Sequence, residues 1–325
     1  MDREGFLKYL KGKGLDDEAA TRQMSIADHL DTMLSSRNGL PGTGCGRKAA
    51  LSLIESLLES GQDSYENMLA ILRYGYFTKN DDVYETAFQY LDGAEALDGM
   101  YYKLEEVAGA EEKDRIFGMI GPVSPGTSFK DKAAAARTVV VEVKSSLSPA
   151  QRDRLYDSSF RHLDDSQYIP DRQLYEKLGD IDAYIEAKKQ DFVKTLEDHM
   201  SEGRLFFGQE ITTEVIAYVK SDPEIAFGKK VGNDLFVTKI PFRAKEWLSE
   251  NDPIRRRYLY CHCPWARESI LSEEGPVDPE FCRCSAGFHK KSWEVIFGRK
   301  LECEVLESVL AGDERCRFRI SLPVK

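Results

Sequence analysis

Leu301-Glu302-Cys303-Glu304-Val305-Leu306-Glu307-Ser308-Val309-Leu310, then Ala311-Gly312-Asp313-Glu314, then Arg315-Cys316-Arg317-Phe318-Arg319-Ile320-Ser321-Leu322 is the stretch that decides the fold. Two β-rich runs flank a four-residue turn, which predicts neighbouring antiparallel strands. Working backwards, Pro279 to Phe297 reads as a helix that Gly298 stops. Arg257 to Cys263 alternates and is rich in Tyr, Leu and Cys, which predicts a further strand. Ala244 to Glu250 reads as a short helix. Leu235 to Ile240 follows Asn233-Asp234 and reads as a strand that Pro241 ends or confines to a sheet edge. Ile211 to Lys220 is again helical.

Upstream of Gly203 the pattern is almost wholly helical. Met24, Ala27, Leu30 and Leu34 form one stripe of a helix from Asp16 to Ser36. Ala49 to Leu58 repeats the spacing, with Gly61 placed to end it, and Tyr65 to Tyr76, Asp82 to Leu91 and Gly99 to Ala108 continue the series. Asp180 to Glu202 is long and amphipathic, with Ile181, Tyr184, Ile185, Phe192 and Leu196 on its apolar side. No fixed-period repeat stands out, so a helical solenoid is not expected. Turn chemistry marks Gly121 to Gly126 and Ser145 to Pro149. The expected class is α+β: a helical domain over residues 1–146, followed by an α+β ligand- or metal-binding domain with an antiparallel sheet over 147–325.

Of the 325 residues, 42% are apolar and 31% charged, the balance of a globular chain. No apolar run approaches the roughly 18 to 20 residues that span a bilayer, so no membrane partner is expected. Met1 to Gly5 carries acids and no apolar core follows, so a signal peptide is not expected, and the cytoplasm is the expected compartment. The net charge is −11, and the acidity belongs to the first 250 residues because 251–325 are nearly neutral. A nucleic-acid partner, which calls for a basic face, is not expected. Arg255-Arg256-Arg257 is read as the solvated start of an apolar strand. Gly39 to Lys48 lacks the phosphate-loop pattern, since Arg47 follows Gly46 and Ala49 follows Lys48. It is read as a tight loop leading into a helix.

Four of the seven cysteines form two Cys-x-Cys pairs, Cys261-His262-Cys263 and Cys282-Arg283-Cys284, with His289 close after the second. Thiolate and imidazole hold soft or borderline metals, and thiolate is a strong nucleophile. On a strand, Cys261 and Cys263 would share a face and His262 would point away. At a helix start, Cys282 and Cys284 would gain from the dipole and free amides, which lower a thiol's pKa. Four thiolates brought together call for a cation, and tetrahedral zinc is the expected one. Cys282 and His289 are about two helical turns apart and can share a face, a spacing that also allows a Cys–His nucleophile pair. Trp265, Phe288 and Trp293 are read as packing a core or lining a ligand pocket. Cys303 and Cys316 are read as buried strand thiols, and Cys45 is not placed.

The run Phe281 to Phe288, with Trp293 to Gly298, Val305 to Ser308, Gly312-Asp313 and Cys316 to Ile320, resembles the end of the 4-vinyl reductase-type small-molecule-binding domains. In those, a Cys-containing helix with an Ala-Gly step leads to a hairpin with a Gly-Asp turn. The whole chain resembles an uncharacterised bacterial Cys-rich family with a Cys-His-Cys-Pro-Trp motif, here Cys261 to Trp265. The resemblance implies a fold akin to vesicle-tethering subunits and haem-based nitric-oxide sensors, with a pocket for a small ligand near its cysteines. A similar Cys-rich ending in thiazoline amino-acid hydrolases implies a hydrolase as an alternative.

Three readings follow. The first is a bacterial binder of a small molecule or metal, holding zinc through Cys261, Cys263, Cys282 and Cys284 beside a pocket of Trp265, Phe288 and Trp293. The second is a hydrolase of a small heterocyclic amide or thiazoline, with Cys282 or Cys284 as nucleophile, or a metal-bound water, and His289 as general base. The third is a thiol redox switch. A homodimer is compatible with each.

Overall fold

Capping chemistry sets where the helices begin. The computed structural model describes residues 1–36 and 44–323, and packing divides them into two compact units: Met1–Ala94 with Pro122–Ser128, and Glu95–Gly121 with Phe129–Lys325. The first unit is helical: α1 (Arg3–Gly12), α2 (Asp17–Ser36), α3 (Cys45–Glu59), α4 (Tyr65–Thr78) and α5 (Asp81–Leu91). Asp2, Ser64 and Asn80 each accept a backbone N–H of the helix they precede, satisfying a donor that the first turn leaves without a partner. Phe6, Leu30, Leu53, Met68, Ile71 and Val83 are fully buried in this unit. Buried Asp63 accepts from Gly126 N–H at 2.9 Å and from the Ser124 hydroxyl, which ties the Pro122–Ser128 segment to the helices. Of the glycine-rich stretch, Gly39 to Thr43 lie outside the described residues. Gly44 follows at φ +68° and leads directly into α3.

The second unit begins with α6 (Ala96–Ala108), α7 (Ala110–Phe117), α8 (Phe129–Ser146), α9 (Pro149–Leu155), α10 (Ile169–Leu178), α11 (Ile181–Ser201) and α12 (Thr213–Ser221). The Ser145–Pro149 turn becomes a capping box: Ser148 and Gln151 exchange hydrogen bonds, with Pro149 in the first turn. Then follow β1 (Lys229–Val231), β2 (Asp234–Thr238), α13 (Ala244–Ser249), α14 (Pro253–Tyr260), α15 (Arg283–Phe297), β3 (Cys303–Glu307) and β4 (Arg317–Ser321). The four strands form one antiparallel sheet in the order β1-β2-β4-β3. The protein is thus α+β, mostly helical towards its N-terminus with the sheet near its C-terminus. Among the described residues no helix is long and apolar enough to cross a membrane.

The register pairs Leu235 with Ile320 and Val237 with Phe318, so these alternate residues share one face. That face packs with Ile181, Tyr184 and Ile185 of α11 and Trp293 and Ile296 of α15. Ser285, His289, Trp293 and Ile296 recur at helical spacing along α15, so its sheet-facing stripe runs from polar at the start to apolar at the end. Arg317 grips Glu224 through two bonds, of 2.6 and 2.8 Å, and holds the start of β4 in place.

Arg257 to Cys263 is not a strand. Arg257 to Tyr260 form the last turn of α14, and Cys261 to Cys263 follow as irregular chain. Asp252 caps this helix by accepting Arg255 N–H at 2.8 Å, and Pro253 occupies its first turn. A cap followed by proline outweighs the β-favouring run of Tyr, Leu and Cys.

Two glycines let one irregular segment approach two helices. A Cβ on Gly287 of α15 would lie 2.2 Å from Ser159 N, and one on Gly99 of α6 would lie 1.8 Å from Phe160 O. Gly287→Ala is expected to destabilise the protein by about 1–3 kcal/mol through overpacking. Gly12→Ala, with nothing within 4 Å of its Cβ, is expected to be neutral or to stabilise by up to about 1 kcal/mol. Urea denaturation of both variants checks the contrast.

Candidate functional site

The site lies where β2 leaves the sheet and β4 enters it. Lys239 N–H donates to Cys316 O at 3.1 Å, and the hydroxyl of fully buried Tyr260 donates to Lys239 O. His262 Nε2 meets Ile240 O at 2.7 Å, and Arg243 N–H donates to Leu259 O at 2.9 Å. The end of α14 and the Cys261–Cys263 segment are thereby stitched to the chain leaving β2. This seam carries Cys261, Cys263, Lys239 and Cys316. The start of α15 supplies Cys282 and Cys284. Cys282 Sγ is 3.0 Å from Ser308 Oγ, and Ser308 is held by accepting Leu310 N–H on its hydroxyl and donating its own N–H to Asp313. Cys284 Sγ accepts Phe160 N–H at 3.4 Å and lies 3.8 Å from Ser159 Oγ. The segment wedged between Gly99 and Gly287 therefore also contacts a thiol.

Five cysteines thus lie in this neighbourhood. Among the described residues, which include all seven cysteines, no disulfide forms. Cys261 is buried, whereas Cys263, Cys282, Cys284 and Cys316 keep part of their surface open. Burial is nevertheless the largest cause of every thiol's shift, so these groups form one enclosed, thiol-rich neighbourhood, the recess. Burial pushes Cys316 up to about 11. It also pushes Cys263 up, with Cys261 and Cys284 adding repulsion. Cys282 is raised well above an ordinary thiol by burial first, then by Cys316, Cys261 and Cys263. Cys284 is raised too, because burial outweighs the Phe160 N–H and Ser159 hydroxyl that favour its thiolate. The helix-start effect expected for Cys282 and Cys284 is overridden, and at neutral pH all five thiols are protonated.

Both histidines are neutral for the same reason. Burial, then Lys239, lowers His262 well below its ordinary value. Burial, then Lys239, lowers His289 to about 3. The His289 ring lies 4.8 Å from that of Phe318, and its buried Nε2 has no hydrogen-bond partner among the described residues. Lys239 is half-buried. Among the described residues its ammonium meets one polar partner, Ser285 Oγ at 3.4 Å, and no carboxylate.

The structure therefore brings Cys261, Cys263, Cys282 and Cys284 into one neighbourhood and adds Cys316 and Lys239, which the sequence did not single out. The sequence reads Cys316 as a buried strand thiol and Lys239 as part of a strand from Leu235 to Ile240, whereas the structure puts them just before β4 and just after β2. Trp293 packs in the core 5.5 Å from Tyr184, and Trp265 is buried with the Lys132 ammonium 5.6 Å from its ring. Phe288 is half-buried beneath the Arg161 guanidinium at 5.1 Å. Cys303 sits in β3, pushed up to about 12 by burial, and Cys45 belongs to the first unit. Among the described residues, no three His, Cys, Asp or Glu side chains are drawn together as a metal-ligand group.

A family model described as a family of unknown function (DUF6144) matches residues 230–324, a stretch that contains Lys239, both Cys-x-Cys pairs, His289 and Cys316. No 4-vinyl reductase-type domain is found, which overturns that resemblance and what it implied. The short motifs behind it have local causes. The Ala-Gly step on α15 makes room for Ser158 and Ser159, and Gly312, at φ +105°, sits in the turn that lets Asp313 hold Ser308. Comparison with curated proteins and with solved structures finds no match.

Two outcomes follow. Iodoacetamide labelling of the recess thiols at pH 7 is expected to be slow and to rise with pH up to at least pH 10, checked by mass mapping of each cysteine. One fast-labelling recess cysteine at neutral pH would contradict the raised thiol pKa values. His289 binds fewer protons folded than unfolded between about pH 6.5 and 3, so stability is lost as pH falls through that window. His289→Phe, which keeps the ring against Phe318, is expected to weaken that acid loss in thermal melts from pH 7 to 4.

Proposed function

We propose that the α+β unit is a binding module whose recess takes a thiophilic metal ion, zinc first, through Cys261, Cys263, Cys282 and Cys284. The observation behind this reading is the gathering of both Cys-x-Cys pairs, without disulfides, at one end of the sheet. Neutral thiols need not approach one another, and the described side chains stand apart. A divalent cation displaces their protons and makes close approach of the sulfurs favourable. Cys316 is a spare fifth thiol next to Cys282. The compartment that suits this chemistry is the reducing cytoplasm of a bacterium, where free thiols persist.

The nucleophile reading has less behind it. A thiol raised by burial is a poor source of thiolate at pH 7, and an imidazole lowered to about 3 is a weak base. A redox role remains open to the five free thiols, and exchange between them is slow while they are protonated.

Metal analysis of the full chain, purified without added metal and then titrated with zinc against a chromophoric chelator, tests the proposal. About one equivalent is expected, with loss of binding in the Cys261→Ser, Cys282→Ser double variant. Protons are expected to be released on loading, and affinity to fall at least about tenfold per unit as pH drops below 8. Uptake of less than about a tenth of an equivalent would overturn the reading, because structural zinc sites bind far more tightly.

A further inference from the structure

Lys239 is held through its backbone on both sides, while its side chain has few contacts. Its N–H is bound to Cys316 O and its carbonyl to the Tyr260 hydroxyl, so its Cα is fixed from both sides. Three other enclosed cations of this unit find carboxylates. Lys290 meets Asp157 and Glu294 at 3.2 Å each, Lys188 meets Asp171 at 2.7 Å, and Arg317 meets Glu224. Among the described residues Lys239 reaches only a serine hydroxyl, at 3.4 Å. A half-buried ammonium without an anion loses hydration and gains no ion pair in return.

Ser285 is one helical turn before His289 on the sheet-facing stripe of α15. A hydroxyl already in contact with the ammonium and an imidazole nitrogen with no partner among the described residues therefore share one side of the helix. These three groups lack one thing in common, an acceptor with several lone pairs. We infer that the ligand of the recess carries an oxyanion group, a carboxylate or a phosphate, held by Lys239 Nζ with Ser285 Oγ and His289 Nε2 as hydrogen-bond donors. The inference rests on the reading of the recess as a binding site, but not on which ion its thiols take. An oxyanion here completes the ion pair of Lys239, accepts from Ser285 and gives His289 Nε2–H an acceptor. Its binding requires no proton transfer, because the imidazole donates as the neutral tautomer with hydrogen on Nε2.

Calorimetric titration of the full chain, reduced and metal-free, with acetate and separately with inorganic phosphate at constant ionic strength, provides the test. The expected result is saturable binding of one probe, whose identity then assigns the oxyanion as carboxylate or phosphate. Lys239→Gln is expected to weaken it at least about tenfold, Ser285→Ala by a few-fold, and Lys239→Arg by less than about threefold. Lys300→Gln, on the exposed turn before β3, is expected to leave it unchanged. Absence of binding of both probes, or equal binding by Lys239→Gln, would overturn the inference. Should Lys239→Gln fail to fold by circular dichroism, Ser285→Ala decides, and undiminished binding there overturns it as well. Zinc titration of the same samples keeps the two readings apart. Zinc taken up without either anion sinks this inference alone, and an anion bound without zinc sinks the metal reading alone.

Discussion

The seating of α15 on a sheet of very short strands is the constraint on which the rest of the second unit depends. Strands of three to five residues hold together weakly unless one face is covered. The cover comes from Trp293 and Ile296 of α15, joined by Ile181, Tyr184 and Ile185 of α11, laid over Leu235, Val237 and Ile320. Each such side chain contributes about 1.5–3 kcal/mol on burial. Because the apolar half of the α15 stripe does this packing, its other half is free to be polar. Ser285 and His289 occupy that half, directly where β2 and β4 diverge. The position of the recess is thus a by-product of how the helix must lie to cover the sheet.

Much of this was legible in the sequence, and the failures are instructive. The hairpin around Gly312, the strand at Leu235 and the helix stopped by Gly298 were readable because period and turn chemistry agreed at each. α14 was misread because Tyr258, Leu259, Tyr260 and Cys261 favour a strand when taken alone. The decisive signal lay upstream in Asp252-Pro253, a cap and a first-turn proline. α1 and α10 were passed over since their apolar positions are few and interrupted by charge, and α8 was passed over although Ala133, Ala136, Val139, Val140 and Val143 are buried along it at helical spacing. The two Cys-x-Cys pairs were found by counting. Lys239 and Cys316 could not be, because what places them is a backbone pairing between residues 77 positions apart. No local pattern encodes such a partner.

Electrostatics reverses what the local motifs suggest. A cysteine at a helix start ordinarily favours its thiolate, and Phe160 N–H and Ser159 do push Cys284 that way. Depth wins, because removing water from a thiolate costs more than two weak donors return. The same depth keeps His262 and His289 uncharged. The Lys239 ammonium is felt by most of these thiols and imidazoles, with Arg267 adding to it at Cys261 and His262 and Arg161 at Cys284.

The wedge of Ser158 to Phe160 between Gly99 and Gly287 has a mechanical meaning. With backbone pressed against backbone on two sides, the segment has no slack, and its Phe160 N–H fixes one sulfur of the recess. Close-packed interiors transmit such displacements instead of absorbing them. If the thiols take an ion as proposed, Cys284 is the ligand whose position is set by packed backbone on two sides, whereas Cys263 stands on irregular chain.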